Sequence, residues 1–354
     1  MERLPLPTRT AYAELLELLL ALEATRSIGH AKGTFVAKTV KGREYLYFQY
    51  SGPGGRVEQR YLGPRSEALA TVVQRFERER ETVAVEHEHI QSVAAVVRAG
   101  GAGLTDGASA RVVAALAQAG VFRLGGVLVG TQAFVVLGNL LGVQWKGTGA
   151  GGHIRTDDVD IGATRHLHVA VPELAADVPK ALDQLEMGFL PVPGFDPKAP
   201  STAFKVRGKG LRVDLLTPAP SSPSAKLPSA VPIARLNAAA TPLRFLDYVL
   251  EDAQPAALVN GGAVLVNVPS PARFALHKLL VATDRPSALH SKVDKDFAQA
   301  ALLVDTLEED RPGDLAAAWK AMRGRGWAKR VRDAAAQLRK RWPDSYDRLA
   351  PVLK

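Results

Sequence analysis

Two aspartates, Asp158 and Asp160, flank one apolar residue in the run Arg155-Thr156-Asp157-Asp158-Val159-Asp160. On a strand, residues i and i+2 project to one side, so both carboxylates would enter one pocket. Like charges held that close are costly unless a cation lies between them. Mg²⁺ suits such a place, because it takes hard oxygen ligands and shares them with substrate phosphates. A third acid, Asp214, sits in the apolar run Leu211-Arg212-Val213-Asp214-Leu215-Leu216, where an unpaired carboxylate is expensive. Upstream, Val127-Leu128-Val129 ends in Gly130-Thr131, and an apolar helical pattern follows to about Leu141. Backbone N–H groups at such a strand-to-helix turn can hold phosphate, and glycine allows close approach. Lys278, in the helical run PARFALHKLLVATDR, could reach a triphosphate.

These residues need elements to position them. Residues 8–30 read as a helix with a broad leucine face. Three β-prone runs over 34–62, separated by Lys41-Gly42 and Ser51-Gly52-Pro53-Gly54-Gly55, predict an antiparallel meander. Tyr45, Tyr47, Tyr50 and Tyr61 lie there among Lys38, Lys41, Arg43, Arg56 and Arg60. Aromatic rings among basic side chains on a sheet can stack bases and track a phosphate backbone. Alternatively, tyrosine simply packs well in strands. Ser66 to about Arg98 is a long charged helix, and Ala108 to Ala119 a second helix leading into the strand Phe122–Val129. A strand is expected at His166–Ala170 and a helix from Pro172. Thr202–Val206 and Leu211–Leu216 form a hairpin-like pair. The Pro/Ser/Ala-rich stretch Pro218–Pro232 reads as a boundary. The expected organisation is residues 1–100 (helix, meander, long helix), 101–220 (core) and 221–354 (mostly helical). The expected class is α+β, with a mixed sheet flanked by helices.

At 354 residues the chain can bury a full core. It has no cysteine, which excludes disulfides and thiolate metal sites and fits a cytoplasmic protein. No apolar run approaches the roughly 18–20 residues of a membrane span, and the N-terminal run reads as a helix rather than a signal peptide. The net charge is +9, and residues 311–354 hold twelve Lys/Arg against four Asp/Glu. That asymmetry points to a polyanionic partner. Within it, about Leu315 to Arg341 reads as a basic helix interleaved with Trp319 and Trp327, closed by Trp342. Its phosphate contacts would give salt-dependent, sequence-independent affinity, unless the tryptophans pack inward. His153, His166, His168 and His277 show no metal-ligand spacing.

Gly130-Thr131, the Asp158-Val159-Asp160 pair and Asp214 on a later strand resemble the three-part signature of the polymerase-β-like nucleotidyltransferase superfamily. The frame Arg155–Asp160, with PARFALHKLLVATDR and the later Lys292, Lys295 and Asp296, is similar to bacterial nucleotidyltransferase-fold proteins. Those are distant relatives of abortive-infection and toxin nucleotidyltransferases. The chain departs in having threonine where serine is usual, and in placing Asp158 28 positions after Gly130, with Gly147–Gly152 as the insertion. The resemblance implies two-metal transfer of a nucleotide from an NTP, such as ATP, to a hydroxyl. Asp158 and Asp160 would bridge two Mg²⁺ ions (Mn²⁺ being the alternative), and Asp214 would join one of them. Gly130 and Thr131 would cradle the triphosphate, and Lys278, with Arg155 as a weaker candidate, would neutralise the leaving pyrophosphate.

Each residue has a plainer reading. The aspartate pair could form a turn or helix cap, and Thr156 could brace that turn. Asp214 could be an ion pair with Arg212. Lys278 could snorkel from an amphipathic helix. Lys292, Lys295 and Asp296 could be a solvated helix start. The basic tail favours RNA, tRNA included, as acceptor and partner. A protein or small-molecule hydroxyl is the alternative acceptor, and an inactive nucleic-acid-binding module the alternative to an enzyme.

Overall fold

The structure, a computed structural model, describes residues 1–51, 57–145, 156–164, 175–193, 200–219, 227–283 and 290–354. Arg155, Gly147–Gly152, Arg56, His153 and the strand expected at His166–Ala170 lie outside the described residues. The chain opens with β1 (Glu2–Arg3) and α1 (Leu6–Ala24), which carries Pro7 in its first turn, where proline costs no hydrogen bond.

The β-branched and aromatic runs that follow form the expected antiparallel meander, β2 (Thr34–Val40), β3 (Arg43–Ser51) and β4 (Val57–Pro64). Lys41 and Gly42 both take positive φ at the first turn, which matches the twist of a tight hairpin. α2 (Glu67–Ala99) starts at Ser66, whose hydroxyl accepts from the Leu69 N–H at 3.3 Å. Its N-terminal half backs the meander through Phe76. Its C-terminal half buries Ile90, Val93, Ala94 and Val97 in a cluster with α1. One charged helix therefore ties the meander to the rest of the molecule.

α3 (Gly107–Ala119), capped by Asp106, precedes β5 (Val127–Val129), α4 (Gly130–Leu140), β6 (Val143–Gln144) and β7 (Asp158–Gly162). α5 (Val178–Asp183), β8 (Phe189–Pro191), β9 (Ala203–Val206), β10 (Arg212–Pro218), β11 (Val231–Ile233) and β12 (Ala238–Leu243) follow. Among the described residues the main sheet has seven strands, with the path β11-β12-β10-β7-β5 and with β9 and β8 added beside β10. β7, β10 and β12 run parallel, while β5, β9 and β11 run against their neighbours. The sheet is thus mixed and helix-flanked, and the fold is α+β. Residues on both sides of 220 contribute strands to it.

α6 (Leu246–Leu250) leads to the β13 (Gln254–Val259) and β14 (Ala263–Val268) hairpin. The buried Tyr12 hydroxyl donates to the Ala257 carbonyl and accepts from its N–H, both at 3.1 Å, so α1 satisfies the free edge of β13. The helices α7 (Pro271–Ala282), α8 (His290–Asp310), α9 (Asp314–Arg323), α10 (Ala328–Arg341) and α11 (Pro343–Leu349) complete the chain. A continuous apolar core runs from Ala110 to Leu353.

The basic segment expected as one helix is two, α9 and α10. Gly326 takes φ 76° between them, a conformation the helix period of the sequence does not reveal. Its tryptophans pack inward: Trp319 is buried and Trp327 lies 4.9 Å from the Phe245 ring. Among the described residues no helix is long and apolar enough to cross a membrane.

Candidate active site

The first link is strand register. Asp160 lies opposite Val129 on β5 and opposite Asp214 on β10, and Asp158 lies opposite Arg212. The three carboxylates therefore occupy adjacent positions on two parallel strands. Asp158 and Asp160 share a face, as their spacing predicts, while Val159 and Ile161 point into the core. All three acids line one cavity of about 530 Å³, together with Gly130, Lys278 and Lys292.

Gly130 joins this cluster to the turn from β5 into α4. Its φ of 68° is left-handed, and a Cβ there would collide with Asp160 Oδ2. Glycine thus lets β5 turn into α4 while its backbone lies against the carboxylate. Val129 at the N-cap has no polar side chain to cap α4, so the N–H groups of its first turn can receive an anion at the positive end of the helix. Thr131 is buried behind this turn and is not part of the cavity wall. We expect Gly130→Ala to lower melting temperature and to slow turnover by roughly 10²-fold, the scale of a 1 Å misplacement of reacting groups. Parallel thermal melts and rate measurements check this.

Electrostatics sharpen the picture. Burial, then Asp214 and Asp158, push the Asp160 carboxyl up to about 7, and Lys278 and Lys292 partly offset them. Asp214 is better compensated. Arg212 Nη2 lies 2.7 Å from its Oδ1, and Arg212 Nε donates to the same oxygen at 2.9 Å. The ion pair considered for Asp214 is present, and it does not remove Asp214 from the cavity. The cluster is three carboxyl groups, all hard oxygen groups, and Asp160 is the one whose charge burial and its two neighbours oppose. Divalent ions prefer oxygen ligands of this kind, while among the described residues no group of three or more His, Asp or Glu side chains is arranged to hold a metal ion.

The aspartate loop is braced from two sides. Thr156 Oγ1 accepts from the Asp158 N–H at 3.1 Å, and the Arg212 N–H donates to the Asp157 carbonyl at 3.0 Å. Thr156 therefore supports the turn.

Lys278 is not a snorkelling surface residue. It is buried on α7, lies 5.0 Å above the Phe274 ring, and pairs with Asp296 of α8 at 2.8 Å. Asp296 is buried as well, so α8 holds the ammonium at the cavity wall. Lys292, one turn earlier on α8, lines the same cavity. Lys295 is half-buried beside them, and burial followed by Lys278 pushes its ammonium down. Lys292 thus lines the cavity from an exposed position in the first turn of α8, and Asp296 reaches the cavity through Lys278. Their i, i+4 spacing on a helix was the available signal.

The structure also adds Arg244 and Phe245, which had no signal in the sequence. Both line the cavity. Phe245 holds φ 68°, a strained value for a bulky residue, and is gripped by Trp327 and by Arg330, whose guanidinium lies 5.6 Å from its ring. The C-terminal helices therefore buttress the cavity wall. Arg325 does so too, pairing with Asp247 and with Glu251.

Residues 108–323 match the model of a family described as nucleotidyltransferase. No curated protein matches the chain. The crystal structure of an antigenic nucleotidyltransferase-like protein from Paracoccidioides brasiliensis is similar over 70% of this chain and 93% of that chain, at 16% identity and a TM-score of 0.35. The described carboxylates, Gly130 and the lysines of the cavity all fall inside the matched span.

Proposed function

The chain belongs to this nucleotidyltransferase family, whose model spans more than half of it, and from that premise we propose that Asp158, Asp160 and Asp214 carry divalent-ion-assisted nucleotidyl transfer from an NTP to a hydroxyl. The supporting observation is convergence. A glycine turn at a helix N-terminus, three carboxylates in strand register and a buried lysine meet in one cavity.

Asp158, Asp160 and Asp214 are the residues that would hold Mg²⁺ or Mn²⁺ through their carboxylate oxygens. When bound, such ions draw charge from the triphosphate and lower the pKa of the attacking hydroxyl. Gly130 and the first turn of α4 receive the phosphates through backbone N–H groups. Lys278 and Lys292 offset charge on the leaving group, and Asp296 fixes where Lys278 stands. The acceptor oxygen bonds the α-phosphorus as the bond to the β-phosphate bridge breaks. Pyrophosphate leaves, and the hydroxyl proton passes to water in the open cavity. The apolar walls from Phe245, Leu246 and Phe274 suit a base.

RNA, tRNA included, is the acceptor this reading favours. The exposed faces of α9 and α10 carry Lys320, Arg323, Lys329 and Lys340, while Val331, Ala334, Ala335 and Leu338 of α10 point inward. The test incubates the protein with each α-labelled NTP, Mg²⁺ and total RNA. Label should enter RNA from at least one NTP and vanish with Asp158→Ala. Salt-sensitive RNA binding without incorporation into RNA, protein or small hydroxyl acceptors would overturn the reading.

A further inference from the structure

The two faces of the meander carry different aromatic sets. Phe35 and Phe48 lie 5.2 Å apart and meet Phe76 of α2 at 5.1 and 6.0 Å. That is the packed face. On the other face, the Tyr61 ring lies 5.5 Å from Tyr47 and 6.1 Å from Tyr45. A register shift between Leu46 and Tyr47 places Tyr61 directly opposite Tyr47. Tyr61 is 54% exposed, and Tyr45 and Tyr47 are half-exposed. Packing against α2 explains the phenylalanines and leaves these tyrosines unexplained.

Cations border the tyrosines. Lys38 lies opposite Tyr45, and its ammonium stands 5.0 Å over the Tyr47 ring while bonding the Gln59 amide. Arg43 precedes Tyr45 by two positions on the same strand face, and Lys41 forms the adjoining turn. All three are exposed. The neighbouring acids are turned elsewhere: Glu44 pairs with Arg65, and Glu58 meets Tyr50 on the packed side. This face lies outside the span that matches the family model, so the reading of the cavity makes no use of it.

We propose that the tyrosine face of the meander binds single-stranded RNA, with bases stacked on Tyr45, Tyr47 and Tyr61 and phosphates on Lys38, Lys41 and Arg43. Stacking uses the π-face of any base, so this surface grips a strand without reading its sequence. A duplex, whose bases are already stacked, offers it nothing but phosphate. The inference rests on the proposed transfer reaction only in taking the bound strand to be the acceptor.

The test is fluorescence anisotropy of a labelled 12-nucleotide single-stranded RNA on the full chain, without NTP, over a salt series. Tyr47→Ala/Tyr61→Ala should weaken binding roughly tenfold or more, the scale of losing a stacked base, at unchanged salt slope. Tyr47→Phe/Tyr61→Phe should keep most of the affinity. Lys38→Ala/Lys41→Ala/Arg43→Ala should flatten the salt slope by about two, as for three lost single-strand phosphate contacts. Should the double alanine variant fail to melt cooperatively, Tyr61→Ala alone, at the most exposed ring, carries the comparison. Wild-type affinity in a cooperatively melting tyrosine variant overturns the proposal. So does a wild-type chain that binds no RNA, or one that instead self-associates through this face. Loss of RNA binding in the tyrosine variants with no nucleotide incorporation by the wild-type chain would sink the transfer reading and keep this one. Incorporation into RNA that the tyrosine variants leave untouched would do the reverse.

Discussion

Asp160→Asn should abolish turnover and, in the metal-free protein, raise stability above neutral pH. On activity, removing a carboxylate from the centre of the cluster should cost roughly 10²–10⁴-fold, the several kcal/mol of charge stabilisation that bound metal supplies. On stability, the sign follows from the raised pKa. The unfolded carboxyl titrates at about 3.9, and the folded one is pushed up to about 7. The folded state therefore holds the proton more tightly. Its contribution is fully present below about pH 4 and is lost as pH rises through about 7. At pH 8 Asp160 is charged beside Asp158 and Asp214 at a cost that asparagine avoids. Allowing for its access to solvent, the gain in Asp160→Asn is about 1–3 kcal/mol at pH 8 and near zero at pH 4. Thermal melts with chelator at both pH values check it. An equal shift at both, or a loss at pH 8, would contradict the cause assigned to the shift. Protons and divalent ions also compete for this carboxylate, so metal affinity should weaken as pH falls.

Lys278→Met should lower stability by about 3–5 kcal/mol, because it leaves the buried Asp296 without its ammonium. The double variant Lys278→Met/Asp296→Leu should recover most of that loss, since an apolar pair of similar volume removes both buried charges. Activity should not recover with it. The double variant restores the helix packing of α7 on α8 and still lacks the Lys278 ammonium at the cavity wall. Chemical denaturation alongside KM and kcat separates the two roles. If the double variant regains turnover, Lys278 serves packing alone.

These two residues also mark how far the primary structure reaches. The i, i+2 spacing of Asp158 and Asp160 speaks for itself, because strand periodicity alone puts both on one face. Gly130 is nearly as plain, as a glycine ending an apolar run before a helical pattern. Asp214 stands out as an acid among apolar neighbours. What periodicity cannot say is which strand lies beside which. The register that sets Asp214 against Asp160 joins segments more than fifty positions apart, and only long-range pairing creates it. Lys278 drew notice as a cation, yet its partner Asp296 lies eighteen positions away on another helix, and packing decides that match. Lys292 and Arg244 reach the cavity for the same reason. Thr131 shows the same limit from the other side: it follows Gly130 in sequence, yet it is buried and does not line the cavity. In the tail, composition leaves two readings of the tryptophans open. Packing decides for Trp319 and Trp327, and a glycine at positive φ splits the helix.

The central claim is that the bond broken lies between the α- and β-phosphates, in a reaction that depends on the aspartate trio. Parallel reactions with α-labelled and γ-labelled NTP, Mg²⁺ and RNA test it most directly. The account predicts that the α label enters the acceptor, that the γ label leaves in pyrophosphate, and that Asp160→Asn loses both. Transfer of the γ label to the acceptor, or undiminished transfer by Asp160→Asn, would contradict it.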